Sequence, residues 1–282
     1  MEGVGFFCGH APNIGAVEGL NANGEPKMND RLQDRLFDEY HSRVIEVFDA
    51  IVEERDAIER AAALMAEQIA RDKVIFVGTG GAHGVIGIEE VFYRAGGLAC
   101  ISPMLDGAIC LLNGAIRTTK MERLDGYGRT VVDVYGVGEG DLMVIAAPVG
   151  ITPMAIDSAM AAKERGARVI GIATMAFAEN VPFGHPSRHK SNKSLDQVSD
   201  VFVNCHVPYG DAVLSVEGVK QRFAPISTIA LSFTENLIVC RTVELLIEKG
   251  VQPPVWRSSN TAGGDDANAR YIEKYGSRVA SL

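Results

Sequence analysis

The chain has 282 residues, 47% hydrophobic and 22% charged, and its 36 acidic and 27 basic side chains leave a net charge of −9. This balance sustains a buried core of ordinary size, excludes a wholly disordered chain, and repels the phosphate backbone of a nucleic acid. The five cysteines form no CxxC pair, and no Cys/His cluster has ligand spacing. They read as small buried residues in a reducing cytosol, with no metal and no cofactor expected. There is no apolar run of membrane-spanning length, and the Met-Glu-Gly start lacks the basic segment of a signal peptide. The expectation is a cytoplasmic protein that contacts neither membrane nor nucleic acid.

Residues 1–27 are rich in glycine and polar side chains and read as an extension; residues 28–282 read as one domain with a helical N-terminal arm and a C-terminal tail. From about Asn29, Leu32, Leu36, Tyr40, Val44, Phe48 and Ile51 recur at helical steps. A second helix from about Asp56 carries Ile58, Ala62, Met65 and Ile69 on one face. The period then changes. Residues 74–77 form a short apolar run, as in a strand buried on both faces, and lead through Gly78-Thr79-Gly80-Gly81 into a helix expected to reach Ala95. Further strands are expected at 99–101, 142–146, 169–173 and 201–204, with helices over about 153–165, ended by Gly166, and 226–249, ended by Gly250. Lys120, Glu122 and Arg123 read as the opening of a helix before the third strand. Strands alternating with helices imply an α/β fold: a three-layer, doubly wound sandwich on a five-stranded parallel sheet. Ligands of such sheets bind at the carboxyl ends of the strands, so the loops there carry the functional question.

The loop after the first strand, Gly78-Thr79-Gly80-Gly81-Ala82-His83-Gly84, gives a ligand close access to backbone at a helix N-terminus. It departs from GxGxxG at His83, and no Gly-Lys-Ser/Thr follows, so neither nucleotide motif is met.

Longer stretches carry a resemblance. They include Glu89-Glu90-Val91-Phe92-Tyr93-Arg94-Ala95-Gly96-Gly97-Leu98, Pro103-Met104-Leu105-Asp106, residues 119–127, His185-Pro186-Ser187, Gly210-Asp211-Ala212, Pro225-Ile226-Ser227-Thr228 and the tail around Ser259-Asn260 and Gly263-Gly264-Asp265. Over about residues 56–276 the chain resembles the SIS (sugar isomerase) domain family, in particular its uncharacterised members related to phosphoheptose isomerases. The resemblance implies the five-stranded SIS fold and a homodimer or tetramer with sites completed by a neighbouring subunit. It also implies a sugar or sugar-derivative ligand, isomerised between aldose and ketose or bound as a signal.

One loop departs from that pattern. Where such proteins hold phosphate on serines and threonines after the third strand, this chain reads Ala146-Ala147-Pro148-Val149-Gly150-Ile151-Thr152-Pro153. Only Gly150 and Thr152 keep the motif, and proline has no N–H to offer. An unphosphorylated sugar, another anionic group, or a site that has lost catalysis all stay open. The distance from His83 to the glutamate pair is also longer than the family pattern, and residues 1–27 could fold over the site as a lid.

Isomerisation through an enediol needs a base beside the reacting carbons and a group that moves protons among the oxygens. Glu90, with Glu89 beside it, is the expected base. Glu90 lies seven residues from His83 on one helix face, and Gly87 leaves room for a ligand, although Arg94 at i+4 could instead pair with Glu90. His185 is the expected proton shuttle. Gly78, Thr79, Gly80, Gly81, His83, Gly150, Thr152, Asp211 and Asn260 are the expected ligand contacts, with Asp211 also suited to capping a helix or pairing across an interface. Lys120, Glu122 and Arg123 could position an anionic substrate, though subunit salt bridges are the favoured reading. Arg188, His189, Lys190 and Lys193 read as a mostly solvated basic stretch.

Overall fold

The computed structural model describes residues 30–282, with the backbone alone described for residues 30–34, Thr79 and His83. The expected extension over residues 1–27 and its lid role lie outside the described residues.

Two long helices lead in, α1 (Asp30–Val52) and α2 (Arg55–Ala70). On α2 the buried positions Ala57, Ile58, Ala61, Ala62, Met65, Ala66 and Ile69 fall three or four residues apart, which lays one stripe against the sheet. Half-buried Tyr40, Val44 and Phe48 of α1 join the same core, and Phe48 stacks on Phe233 at 4.2 Å.

The sheet follows in alternation: β1 (Ile75–Thr79), α3 (Ala82–Val91), β2 (Ile101–Pro103), α4 (Ala115–Glu122), α5 (Tyr127–Tyr135), β3 (Leu142–Ala146), α6 (Pro153–Glu164), β4 (Arg168–Ala173), α7 (Met175–Asn180), α8 (Leu195–Val198) and β5 (Val201–Asn204). The strands are parallel in the order β2-β1-β3-β4-β5, with Val77 opposite Val144, Ile145 opposite Gly171 and Ile172 opposite Val203. β3 is buried at all five positions, which is why it reads as an unbroken apolar run. A two-stranded ribbon, β6 (Ala212–Leu214) with β7 (Phe223–Pro225), precedes the long α9 (Ser227–Glu248), and α10 (Gly264–Tyr275) closes the tail.

Two hydrophobic cores flank the sheet. One joins it to α1, α2, α9 and α10; the other joins it to α5, α6 and α8. The tail pairs with the segment that leads into β2: Ala99 donates to the Pro254 carbonyl at 2.7 Å and Trp256 to that of Gly97 at 2.9 Å.

Two expected boundaries shift. α3 stops at Val91 rather than Ala95: Phe92 is already extended (ψ 127°), and Tyr93 follows with a left-handed φ of 53°. Lys120, Glu122 and Arg123 end a helix instead of opening one, and a second helix, α5, starts after Gly126. Among the described residues, no helix is long and apolar enough to cross a membrane.

Candidate functional site

The strand order reverses between β1 and β3, and a cleft of about 350 Å³ opens at the carboxyl ends of the strands there. Its floor is backbone. Gly80, Gly81, Ala82 and Gly84 at the start of α3 face Ala147, Pro148, Val149, Gly150 and Thr152 after β3. Gly80 permits this approach: a Cβ there would fall 2.5 Å from that of Ala155 and 2.6 Å from that of Ala147. The start of α3 carries the positive end of the helix dipole, which suits an anion or a polarised hydroxyl; its Gly84 N–H is given to the Gly81 carbonyl at 3.1 Å.

Thr152 does not offer its hydroxyl to the cleft. The Oγ1 donates to the Gly80 carbonyl at 2.6 Å and accepts from Ala155 N at 3.3 Å, capping α6 and tying the two loops together. Asp211 is similarly committed. Its Oδ1 accepts from the N–H groups of Ile226 (2.9 Å) and Ser227 (2.7 Å), and its Oδ2 accepts from the Ser227 hydroxyl (2.8 Å). It lines the rim while fastening the start of α9.

The reactive side chains in the wall are Glu122, Arg123 and His185. The Glu122 carboxylate lies against Gly81, where any Cβ would overlap it. His185 is exposed in the loop between α7 and α8. Its Nδ1 accepts from Ser187 N at 3.2 Å and lies 2.7 Å from the Ser187 hydroxyl, which directs the Nε2–H tautomer outward. The loop is held from within by Arg188, 6% exposed, whose Nε donates to the Val181 carbonyl at 2.8 Å and whose Nη2 donates to that of Ala178. His189, 3% exposed, is buried beside it, and its N–H donates to the Ile151 carbonyl. The expected solvated stretch is therefore half buried. Phe177 and Tyr209, with ring centroids 5.4 Å apart, complete an aromatic wall.

Of the expected contacts, Gly80, Gly81, Gly150, Thr152, Asp211 and His185 meet at the cleft. Gly78 is buried at the end of β1, against Met104 and Met143. The side chains of Thr79 and His83 lie outside the described residues. Asn260 is exposed in the tail, away from the residues that line the cleft. Glu89 and Glu90 do not line it either. Glu89 is exposed, while Glu90 faces α9, where it accepts from Asn236 Nδ2 at 3.3 Å and pairs with Arg94 at 3.6 Å. Gly87 makes room for the buried carboxyl of Glu235, whose two oxygens would lie 3.0 and 3.1 Å from a Cβ there.

Residues 39–174, from within α1 to just past β4, match the SIS domain family. A UPF0309 protein of Oceanobacillus iheyensis is 37% identical over 243 residues, which is 86% of this chain and 97% of that protein. The chain belongs to the UPF0309 family of SIS-domain proteins. A second UPF0309 protein, from Geobacillus thermodenitrificans, is 34% identical over 248 residues, 88% of this chain and 98% of that one. Among solved structures, phosphoheptose isomerase of Neisseria gonorrhoeae superposes over 74% of this UPF0309 chain and 98% of its own, at 18% identity and a TM-score of 0.48.

Proposed function

We propose that the cleft binds an open-chain sugar bearing an anionic group and interconverts its aldose and ketose forms through an enediol. The observation that carries this reading is the meeting of Glu122, Arg123 and His185 in one cleft at the switch point of a SIS-family sheet. A carboxylate can act as the base and an imidazole can move protons among the oxygens, the two roles that isomerisation through an enediol requires, while a guanidinium can hold an anionic group. In this reading the start of α3 and the Arg123 guanidinium hold the anion. The Glu122 carboxylate takes the proton from the carbon beside the carbonyl, and His185 Nε2 serves the oxygens. Glu90, the base expected from the sequence, would serve only a site shared between two copies, since within one chain it lies outside the cleft wall.

A second reading, a sugar-binding protein without turnover, is favoured by one observation: the Thr152 hydroxyl and the Asp211 carboxylate are spent on backbone.

The test is a thermal-shift screen of sugars, sugar phosphates and acidic sugars, with hits carried into deuterium exchange at the carbon next to the carbonyl. Exchange in the wild type that is lost in Glu122→Gln but kept in Glu90→Gln is the expected result. Loss in Glu90→Gln alone moves the base to a shared site. Binding without exchange overturns the isomerase step and leaves the binding protein.

A further inference from the structure

The sequence has no metal-ligand spacing, yet the fold gathers three ligand-type side chains from three separate segments. Asp125 comes from the turn between α4 and α5, Asp157 from α6, and His189 from the α7–α8 loop. One ligand atom from each lies within 4.8 Å of the others. Asp157 and His189 are 4% and 3% exposed, whereas Asp125 is exposed.

The decisive atom is His189 Nε2. It is buried and has no hydrogen-bond partner, although Asp157 Oδ1 is only 3.3 Å away. An N–H bonded to a carboxylate would sit closer and in line. A separation of about 3.3 Å is instead the edge of a tetrahedron whose ligands lie about 2.0–2.1 Å from a central ion. The surroundings hold each group in place. Asp157 Oδ2 accepts from Gly126 N at 2.5 Å, which leaves Oδ1 facing the imidazole. Gly126 supplies the left-handed turn (φ 83°) that presents Asp125. His189 Nδ1 accepts from Ser191 N at 3.2 Å and lies 2.7 Å from the Ser191 hydroxyl, so a metal on Nε2 takes the place of the Nε2 proton and requires the tautomer in which Nδ1–H donates to that hydroxyl. Asp125 has one distant cationic neighbour, Lys190 at 3.7 Å, at the solvent side.

We infer that Asp125, Asp157 and His189 form a divalent-cation site of the one-nitrogen, two-carboxylate type, suited to Zn²⁺, Mn²⁺ or Fe²⁺ and open to solvent at the Asp125 side. Its place in the fold gives it a role whatever the cleft binds. Arg123 stands two residues before Asp125, Thr152 five before Asp157, and Ser187 two before His189. All three line the cleft, so a bound ion clamps three of its walls.

The test uses tag-free full-length protein and Co²⁺ as a spectroscopic probe, with Zn²⁺ in competition. One Co²⁺ per chain with visible d–d absorption, displaced by Zn²⁺, is expected. Asp125→Asn should weaken the binding more than about tenfold, and His189→Gln or Asp157→Asn should abolish it. Asp125 is exposed, so its variant keeps the test decisive where the buried ones fail to fold. Absence of uptake, or uptake unchanged in Asp125→Asn, overturns the site and leaves His189 and Asp157 as a structural pair.

Discussion

Glu235 offers a sharp test of how the α3–α9 contact is built. The residue is 3% exposed on the inner face of α9, and neither carboxylate oxygen has a hydrogen-bond partner. Its neighbours are apolar, Met65, Val77, Val91 and Ile238 among them, around a cavity of about 20 Å³. Burial, reinforced by the negative charge of Glu90, pushes its pKa up to about 8 from the usual 4.5. The folded chain therefore keeps a proton that the unfolded chain releases near 4.5. Between those values the native state binds more protons, so stability is fully present below pH 4.5 and is lost as pH rises through 8. Each pH unit in the interval costs about 1.4 kcal/mol, about 5 kcal/mol in all. Glu235→Gln, which keeps the shape without the charge, should come near wild type at pH 5, exceed it increasingly up to about pH 8, and hold that lead to pH 9. Urea unfolding of both proteins across that range measures the difference directly, because every other titrating group is common to the two. A wild-type-to-variant difference that stays constant within about 1 kcal/mol from pH 5 to 9 would refute the buried, protonated carboxyl.

Two further outcomes follow from packing. Gly80→Ala places a methyl on the backbone-fixed Cβ atoms of Ala147 and Ala155, and should cost about 1–3 kcal/mol in urea denaturation while displacing the start of α3 from the cleft floor. Burial pushes the thiols of Cys100 and Cys205 up to about 12, whereas Cys240 is exposed on α9. Alkylation at pH 8 followed by mass spectrometry should mark Cys240 in the native protein, and Cys100 and Cys205 only after unfolding. Rapid native labelling of Cys205 would show that the β5 end opens.

Much of the sheet is legible from the chain because its inner strands are buried on both faces. Residues 142–146 and 201–204 are β3 and β5 as read, and β4 gains only Arg168. β2 lies two residues later than expected, since a three-residue edge strand leaves little pattern and its position is set by pairing Ile75 with Ile101. The α4–α5 region misleads for a different reason. Leu111, Leu112 and Ile116 are apolar yet exposed, so periodicity there does not report burial. At the site, Gly80, Gly150 and Thr152 follow strands and are found by position alone. Arg188 and His189 are missed because adjacent lysines suggest solvent. What buries them is a set of carbonyls, those of Val181, Ala178 and Ile151, which no sequence pattern displays.

The same distinction explains the altered loop after β3. Its threonine is retained for capping, with the hydroxyl joining Gly80 to Ala155, and Pro153 occupies the first turn of α6, where its missing N–H costs the helix nothing. The loop has thus kept the residues that shape the cleft and lost the hydroxyls that would grip a phosphate. Arg123, at the C-terminal end of α4, also lines the cleft. A guanidinium forks onto two oxygens of a planar carboxylate as readily as onto phosphate, whereas a loop of hydroxyls and N–H groups is shaped to a tetrahedral anion. In the proposed reading, exchanging one for the other moves the anion's anchor across the cleft without changing the sheet. That reading makes the carboxylate of an acidic sugar as good a partner for this cleft as the phosphate of a sugar phosphate.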